Sequence, residues 1–169
     1  MADQDLLARV QALEDIEAIK RLKYRYFRSI DTADLATLDT LLTDDIGVNY
    51  KGGTYHWMMQ GKDNVMQSIA GGFHNRALAQ HTGHHPEIDL LSPTTAKGLW
   101  YLTDSFIHLD MRVVTQGSSL YRDEYVKLGS EWKIRYSSYT RIYEIVETLE
   151  RAPSVTYSLL AETGRAPAT

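Results

Sequence analysis

The chain contains no cysteine in its 169 residues. That excludes a disulfide framework, a thiolate nucleophile and any cysteine-ligated metal. Nor does it hold an apolar run long enough to cross a bilayer as a helix. Positive charge is not in excess: 18 Lys and Arg stand against 22 Asp and Glu, giving a formal net charge of −4 and a pI near 5.8. This balance argues against nucleic acid or an anionic membrane as partner. Internal repeats, low-complexity tracts and a glycine-rich phosphate loop are missing too. The opening Met1-Ala2-Asp3-Gln4-Asp5 lacks the basic and apolar regions of a secretory signal, so a cytoplasmic address is expected. Phenylalanine is scarce, 3 residues against 11 tyrosines. Tyrosine has an apolar body and a polar tip, which suits a half-polar cavity and equally a plain sheet surface.

The composition that remains, 43% hydrophobic and 24% charged, is that of an ordinary globular protein. The length suits one domain over residues 1–169, with a core over about 6–150 and a loose tail carrying Pro153 and Pro167. Ile16, Ile19, Leu22, Tyr26 and Ile30 recur at helical spacing and predict a long helix from about Leu6 to Ile30. Asp31-Thr32-Ala33-Asp34 breaks it, and Asp31 is most simply an N-cap for a second helix carrying Leu35, Leu38, Leu41 and Leu42. The period then changes to two. Ile46, Val48 and Tyr50 alternate, Gly52-Gly53 turn, and Thr54 to Met59 return as a strand. A third helix is expected over Lys62 to Leu78, weakened by Gly71-Gly72. Strands follow over about His81–Leu91, Thr95–Asp110, Ser119–Leu128 and Trp132–Ile142, with a loop around Met111 to Ser118. Helices first and antiparallel strands afterwards give an α+β class, in which a bent sheet around helices would leave a cone-shaped pocket. Two apolar faces on one strand, Leu99, Tyr101, Ile107 and Leu109 against Trp100, Leu102 and Phe106, hint at a homo-oligomer.

Asp104 shares a strand face with Trp100, Leu102 and Phe106, so a carboxylate sits on an apolar side. It is solvated, paired with an arginine or a tyrosine hydroxyl, or it orients an imidazole; spacing leaves these open. Three of the six histidines lie in His81-Thr82-Gly83-His84-His85. His81 and His84 fall on opposite strand faces, and no carboxylate is spaced to join them around an ion, so no metal site is expected. One of these histidines could serve as a general base near neutral pH. Tyr26 reads as core from its helical face, and Tyr50 closes a short strand.

The segments "LEDIEAIKRLKYRYFRSID", "HTGHHPEI", "TTAKGLWYLTD" and "YTRIYE" together resemble the SnoaL-like branch of the nuclear transport factor 2 superfamily. Within it the likeness is nearest to the bile-acid 7α-dehydratases, with scytalone dehydratases more distant. The resemblance implies an α+β cone, a curved antiparallel sheet wrapped around N-terminal helices, assembled as dimers or trimers. It also implies a lyase that eliminates water from a steroid-like or polycyclic hydroxy-enone, a hydrophobic small molecule, without metal or redox cofactor. Position by position it makes His81 the base and Asp104 its orienting partner. Tyr26 and Tyr50 become hydrogen-bonding phenols, and Asp31 and Arg141 positioning groups. Trp57, Met58, Trp100 and Phe106 are the expected substrate-lining side chains, Met and Trp being adaptable bulk.

Alternation over Trp132–Tyr143 puts Arg141 with Lys133, Arg135 and Ser137 on the polar side, so a β-bulge is required for it to face the cavity. The stretches Lys51–Gln80 and Met111–Ser118 depart from the pattern, the latter as a pocket rim. The competing functions are an isomerase or polyketide cyclase using the same base, and a non-catalytic ligand binder. A further non-catalytic alternative is a subunit resembling the small chain of ring-hydroxylating dioxygenases.

Overall fold

The structure, a computed structural model, describes residues 2–166. Met1 and the last residues of the expected tail, Pro167 among them, lie outside the described residues. Helix α1 spans Ala2–Asp31 and α2 spans Leu35–Leu41. Strand β1 (Leu42–Lys51) and strand β2 (His56–Gln60) form a hairpin, and α3 (Lys62–Gly72) follows. Four long strands complete the sheet: β3 (Ala77–Ser92), β4 (Thr95–His108), β5 (Val113–Leu128) and β6 (Glu131–Thr148). A short helix α4 (Leu159–Thr163) lies within the stretch expected to be loose. No helix among the described residues is long and apolar enough to cross a membrane.

The six strands run in the order β2-β1-β6-β5-β4-β3. Consecutive strands from β3 to β6 pair antiparallel, while β1 lies parallel to β6 and so joins the hairpin to the far side of the meander. The α1 stripe of Ile19, Leu22, Tyr26, Phe27 and Ile30 is buried on the sheet, as its spacing requires. A polar anchor joins them: Asp15 of α1 accepts hydrogen bonds from Lys127 Nζ at 2.7 Å and Trp132 Nε1 at 2.9 Å. Helix α3 stops at Gly72 instead of reaching Leu78, because Gly71-Gly72 removes helix propensity just where β3 can begin pairing. Residues 113–118, expected as a loop, are already strand, paired to β4 and β6 over their whole length. Gly117 and the serines beside it have little strand propensity. Ladder hydrogen bonds on both sides override those weak local propensities.

The decisive irregularity lies in β6. Tyr125 pairs with Ile134 but Glu124 pairs with Tyr136, so Arg135 is an extra residue. Before it the even positions Trp132 and Ile134 face the core; after it the odd positions Ser137 and Tyr139 do. The required bulge therefore exists, and it carries Arg141 to the interior side.

Candidate active site

The last residue of α1 and the start of β3 supply the central pair. His81 Nδ1 lies 2.6 Å from Asp31 Oδ1, and the His81 backbone N–H donates to Asp31 Oδ2 at 2.9 Å. Asp31 is not the helix cap that the sequence suggested. That task falls to Asp34, which accepts from Thr37 N–H at 3.0 Å, and so Asp31 is available to β3. Both oxygens of one carboxylate gripping ring and backbone leave the imidazole little rotational freedom. With Nδ1 as donor to Asp31, Nε2 holds the lone pair. Nε2 has no hydrogen-bond partner among the described residues. The His81 side chain keeps 14% of its surface exposed, so this nitrogen is reachable.

Aromatic rings frame it. Phe27 stacks parallel to the His81 ring at 6.2 Å, Phe73 tilts against it at 5.7 Å, and Phe106 meets Phe73 edge-on at 5.7 Å. Gly83 permits the Phe27 contact, since a Cβ there would stand 2.1 Å from Phe27 Cε2. His84, by contrast, stacks on the exposed Tyr101 and bonds Thr103, on the other side of the sheet.

Asp104 does not orient His81. The two residues stand directly opposite on β3 and β4, and their side chains rise from one face. Yet Asp104 binds the Arg141 guanidinium through both its oxygens, Oδ2 accepting at 2.9 Å from one terminal nitrogen and Oδ1 accepting from the other. A planar fork offers a carboxylate two charge-assisted bonds at once, which an imidazole N–H does not match. Arg141 also donates through Nε to Glu144 at 3.2 Å. Glu144 in turn accepts from Gly53 N and Thr54 Oγ1, both at 3.2 Å, so the β1–β2 turn is fastened to this cluster. Burial works to lower the Arg141 pKa, but the Asp104 carboxylate outweighs it and raises the guanidinium further into its charged form.

Below this level lies a cluster of phenols. Tyr26 and Tyr50 share a hydrogen bond of 2.7 Å, and Tyr50 stacks on Tyr139 at 4.6 Å. Tyr139 Oη is 2.5 Å from Tyr55 Oη, and Tyr121 meets Tyr50 and Tyr139 edge-on. Burial pushes the hydroxyls of Tyr26, Tyr50, Tyr121 and Tyr139 well up, so they are neutral donors at any working pH. Rings rather than open space therefore occupy much of the expected cone-shaped pocket, and Tyr26 and Tyr50 are 2% and 8% exposed.

The expected lining residues divide. Phe106 stands beside Phe73, which in turn tilts against His81. Trp100 is wholly enclosed and donates its indole N–H to Tyr125 at 3.0 Å, a core position. Trp57 and Met58 lie on β2, the sheet edge opposite β3, and are 53% and 69% exposed. Met58 lines a surface groove between β2 and α3, and Trp57 stacks on Tyr55 at 4.5 Å, so neither faces the interior. Sequence reading missed Lys23 and Asp123, a fully buried ion pair at 2.8 Å. The signal was present: Asp123 alternates with Tyr121 and Tyr125 just as Asp104 alternates with Leu102 and Phe106, and Lys23 precedes Phe27 and Asp31 by whole helical turns.

Solved structures share this architecture. A protein named as a candidate scytalone dehydratase, from Novosphingobium aromaticivorans, superposes with a TM-score of 0.73 at 20% identity, over 89% of this chain and 99% of that one. The type 3 hexachlorocyclohexane dehydrochlorinase of Novosphingobium barchaimii gives 0.73 at 14% identity, over 87% and 99%. At such identities the likeness is one of fold, that of the nuclear transport factor 2-like proteins. The model of the SnoaL-like domain matches residues 11–138, and the chain belongs to that family.

Proposed function

We propose that the protein is a lyase of the dehydratase type, acting on a hydrophobic, steroid-like or polycyclic hydroxy-enone. The observation that carries this reading is the doubly bonded Asp31–His81 pair, whose Nε2 is left reachable. A carboxylate held against Nδ1 fixes the tautomer and stabilises the imidazolium that proton abstraction creates. In this scheme Nε2 takes the acidified proton of the enone, and the electron pair moves to the carbonyl oxygen as a dienolate. The Tyr26–Tyr50 phenols, neutral and desolvated, suit the stabilisation of such an oxyanion. Collapse of the dienolate expels the hydroxyl, which leaves as water after taking the proton back from His81. Asp104–Arg141–Glu144 holds the β1–β2 turn and the wall beside the base. Both neighbours above carry names of elimination enzymes, which agrees with this class of reaction.

The direct test is to add the protein to a 7-hydroxy-4-en-3-one steroid and follow ultraviolet absorbance. Growth of the extended dienone chromophore is the expected result; no change at high protein concentration removes this substrate class. Isomerisation would instead conjugate or move a double bond without loss of water, which mass spectrometry of the product separates. The same reading includes assembly as a homo-oligomer, dimer or trimer. Apolar side chains left open support it: Leu6, Leu7, Val10 and Leu13 on α1, and Ile142, Tyr143, Ile145 and Val146 on β6.

A further inference from the structure

Lys23 is the one fully buried cation among the described residues, and its partner Asp123 is equally enclosed, at 0% side-chain exposure each. Burying both charges of an ion pair is a poor way to gain stability, since desolvation offsets most of the attraction and an apolar pair would serve as well or better. Asp123 is well satisfied: Ser137 Oγ donates to it at 2.7 Å and Tyr125 Oη at 2.8 Å. Lys23 is not. Its Nζ lies 2.8 Å from Asp123 Oδ2, yet it makes no hydrogen bond of good geometry. Instead the ammonium stands over aromatic faces, 3.8 Å from the centre of Tyr121, 4.5 Å from Tyr26 and 4.8 Å from Phe27. Burial lowers the Lys23 pKa and Asp123 opposes that shift.

The placement is specific to the site. Lys23, Phe27 and Asp31 follow one another by four residues on α1, so they lie in one row on the helix. Phe27 touches the ammonium with one side of its surroundings and stacks on the His81 ring with another. The cation thus lies one helical turn beyond Phe27, against Tyr26 and Tyr121, while Asp123 holds it from β5. Burial is the main cause that pushes the Tyr26, Tyr50 and Tyr121 hydroxyls up, and the Asp123 charge adds to it, which weakens them as donors to an anion. The Lys23 cation, 2.8 Å from that carboxylate and 3.8 and 4.5 Å from the ring centres of Tyr121 and Tyr26, carries the opposite charge to the same place.

We infer that Lys23, anchored by Asp123, is a positioning residue that keeps the Tyr26–Tyr50 phenol pair receptive to negative charge on a bound oxyanion. It touches neither base nor substrate and acts through the phenols. The inference rests on the dehydratase reading for its role in turnover, but its electrostatic content can be measured without any reaction.

The experiment compares wild type with Lys23→Met/Asp123→Asn, which removes both charges at similar volume and leaves Ser137 and Tyr125 an acceptor. Thermal melts establish that the double variant folds. The first readout is binding of 4-nitrophenol across a pH series, with the ionised fraction of bound ligand read from its absorbance. Wild type is expected to favour the bound anion about tenfold more strongly than the variant does. Equal preference in the two folded proteins, or no binding to wild type, overturns the inference. The second readout is turnover of the hydroxy-enone, where kcat is expected to fall about tenfold with KM within about twofold. If wild type turns over no steroid while the nitrophenol difference stands, the dehydratase reading fails and the role of Lys23 survives. If turnover exists and is unchanged in the folded variant, the pair is structural only. Should the double variant not fold, Lys23→Gln/Asp123→Asn, which also removes both charges but keeps a polar pair, replaces it with the same two readouts and the same criteria.

Discussion

Asp31 and His81, 50 residues apart in the chain, meet through two hydrogen bonds that one carboxylate accepts, one from the ring and one from the backbone N–H. This relationship joins the end of α1 to the edge strand β3 and gives the imidazole a single orientation.

Replacing His81 by alanine is expected to abolish turnover of the hydroxy-enone while the far-ultraviolet circular dichroism and melting temperature stay close to wild type. Asp31→Asn keeps the size of the side chain but can present its amide to Nδ1, which favours the wrong tautomer. Its kcat should fall about 10²–10⁴-fold. Retention of most activity in His81→Ala would remove the base assignment.

The Gly83→Ala substitution tests why Phe27 can lie against His81. The added Cβ would meet the Phe27 ring at 2.1 Å, so the ring must move away from both His81 and Lys23. A loss of about 1–3 kcal/mol in chemical denaturation is expected, as for overpacking elsewhere. Gly71→Ala, where a Cβ meets nothing within 4 Å, is the matched control and should not destabilise.

Breaking the Asp104–Arg141 pair from one side should be severe. Their side chains are 6% and 9% exposed, so Arg141→Met strands a carboxylate away from water. About 3–5 kcal/mol of stability should be lost. The double variant Asp104→Leu/Arg141→Met should recover part of it, since Asp104 no longer needs the guanidinium and only Glu144 is left without it. A double-mutant cycle in urea measures the coupling, and additive losses would deny it.

His74 gives the protein a predictable acid sensitivity. It is 4% exposed, burial holds its pKa below the ordinary 6.5, and the nearby His108 and Arg76 lower it further while Asp110 opposes them. Its Nδ1 accepts the Arg76 backbone N–H at 3.1 Å, a bond that protonation at that nitrogen would remove. The folded protein therefore binds this proton less well than the unfolded chain. The stability it contributes is complete above the unfolded value near 6.5 and is lost as pH falls below it. Melting temperature should drop more steeply from about pH 7 to about pH 5 in wild type than in His74→Phe. Parallel curves would show that His74 is not the group responsible.

Assembly is open to a simple measurement. Sedimentation or light scattering is expected to give a dimer or trimer, and Tyr143→Asp with Ile145→Asp, which share one face of β6, should shift it toward the monomer if that face is the interface. A monomer at all concentrations would rule assembly out.

Helices α1 and α2, the long strands and the alternation that turns Asp104 inward were legible along the chain, because each depends on a period of a few residues. His81 too could be singled out by its motif. The partner of His81 could not. Asp31 and Asp104 were both within reach, and the choice depended on where Arg141 would point. Arg141 in turn depended on a single extra residue, Arg135, which reverses the inward phase of β6. Such a bulge is set by pairing with β5 across the ladder, not by local preference. The Lys23–Asp123 pair is of the same kind. Either residue by itself looks like an ordinary surface charge, and only the docking of α1 onto β5 excludes water from both. What the linear order determined was therefore which side chains line each face; which charges neutralise one another was decided when distant elements closed over them, since a carboxylate selects its partner by geometry and desolvation together.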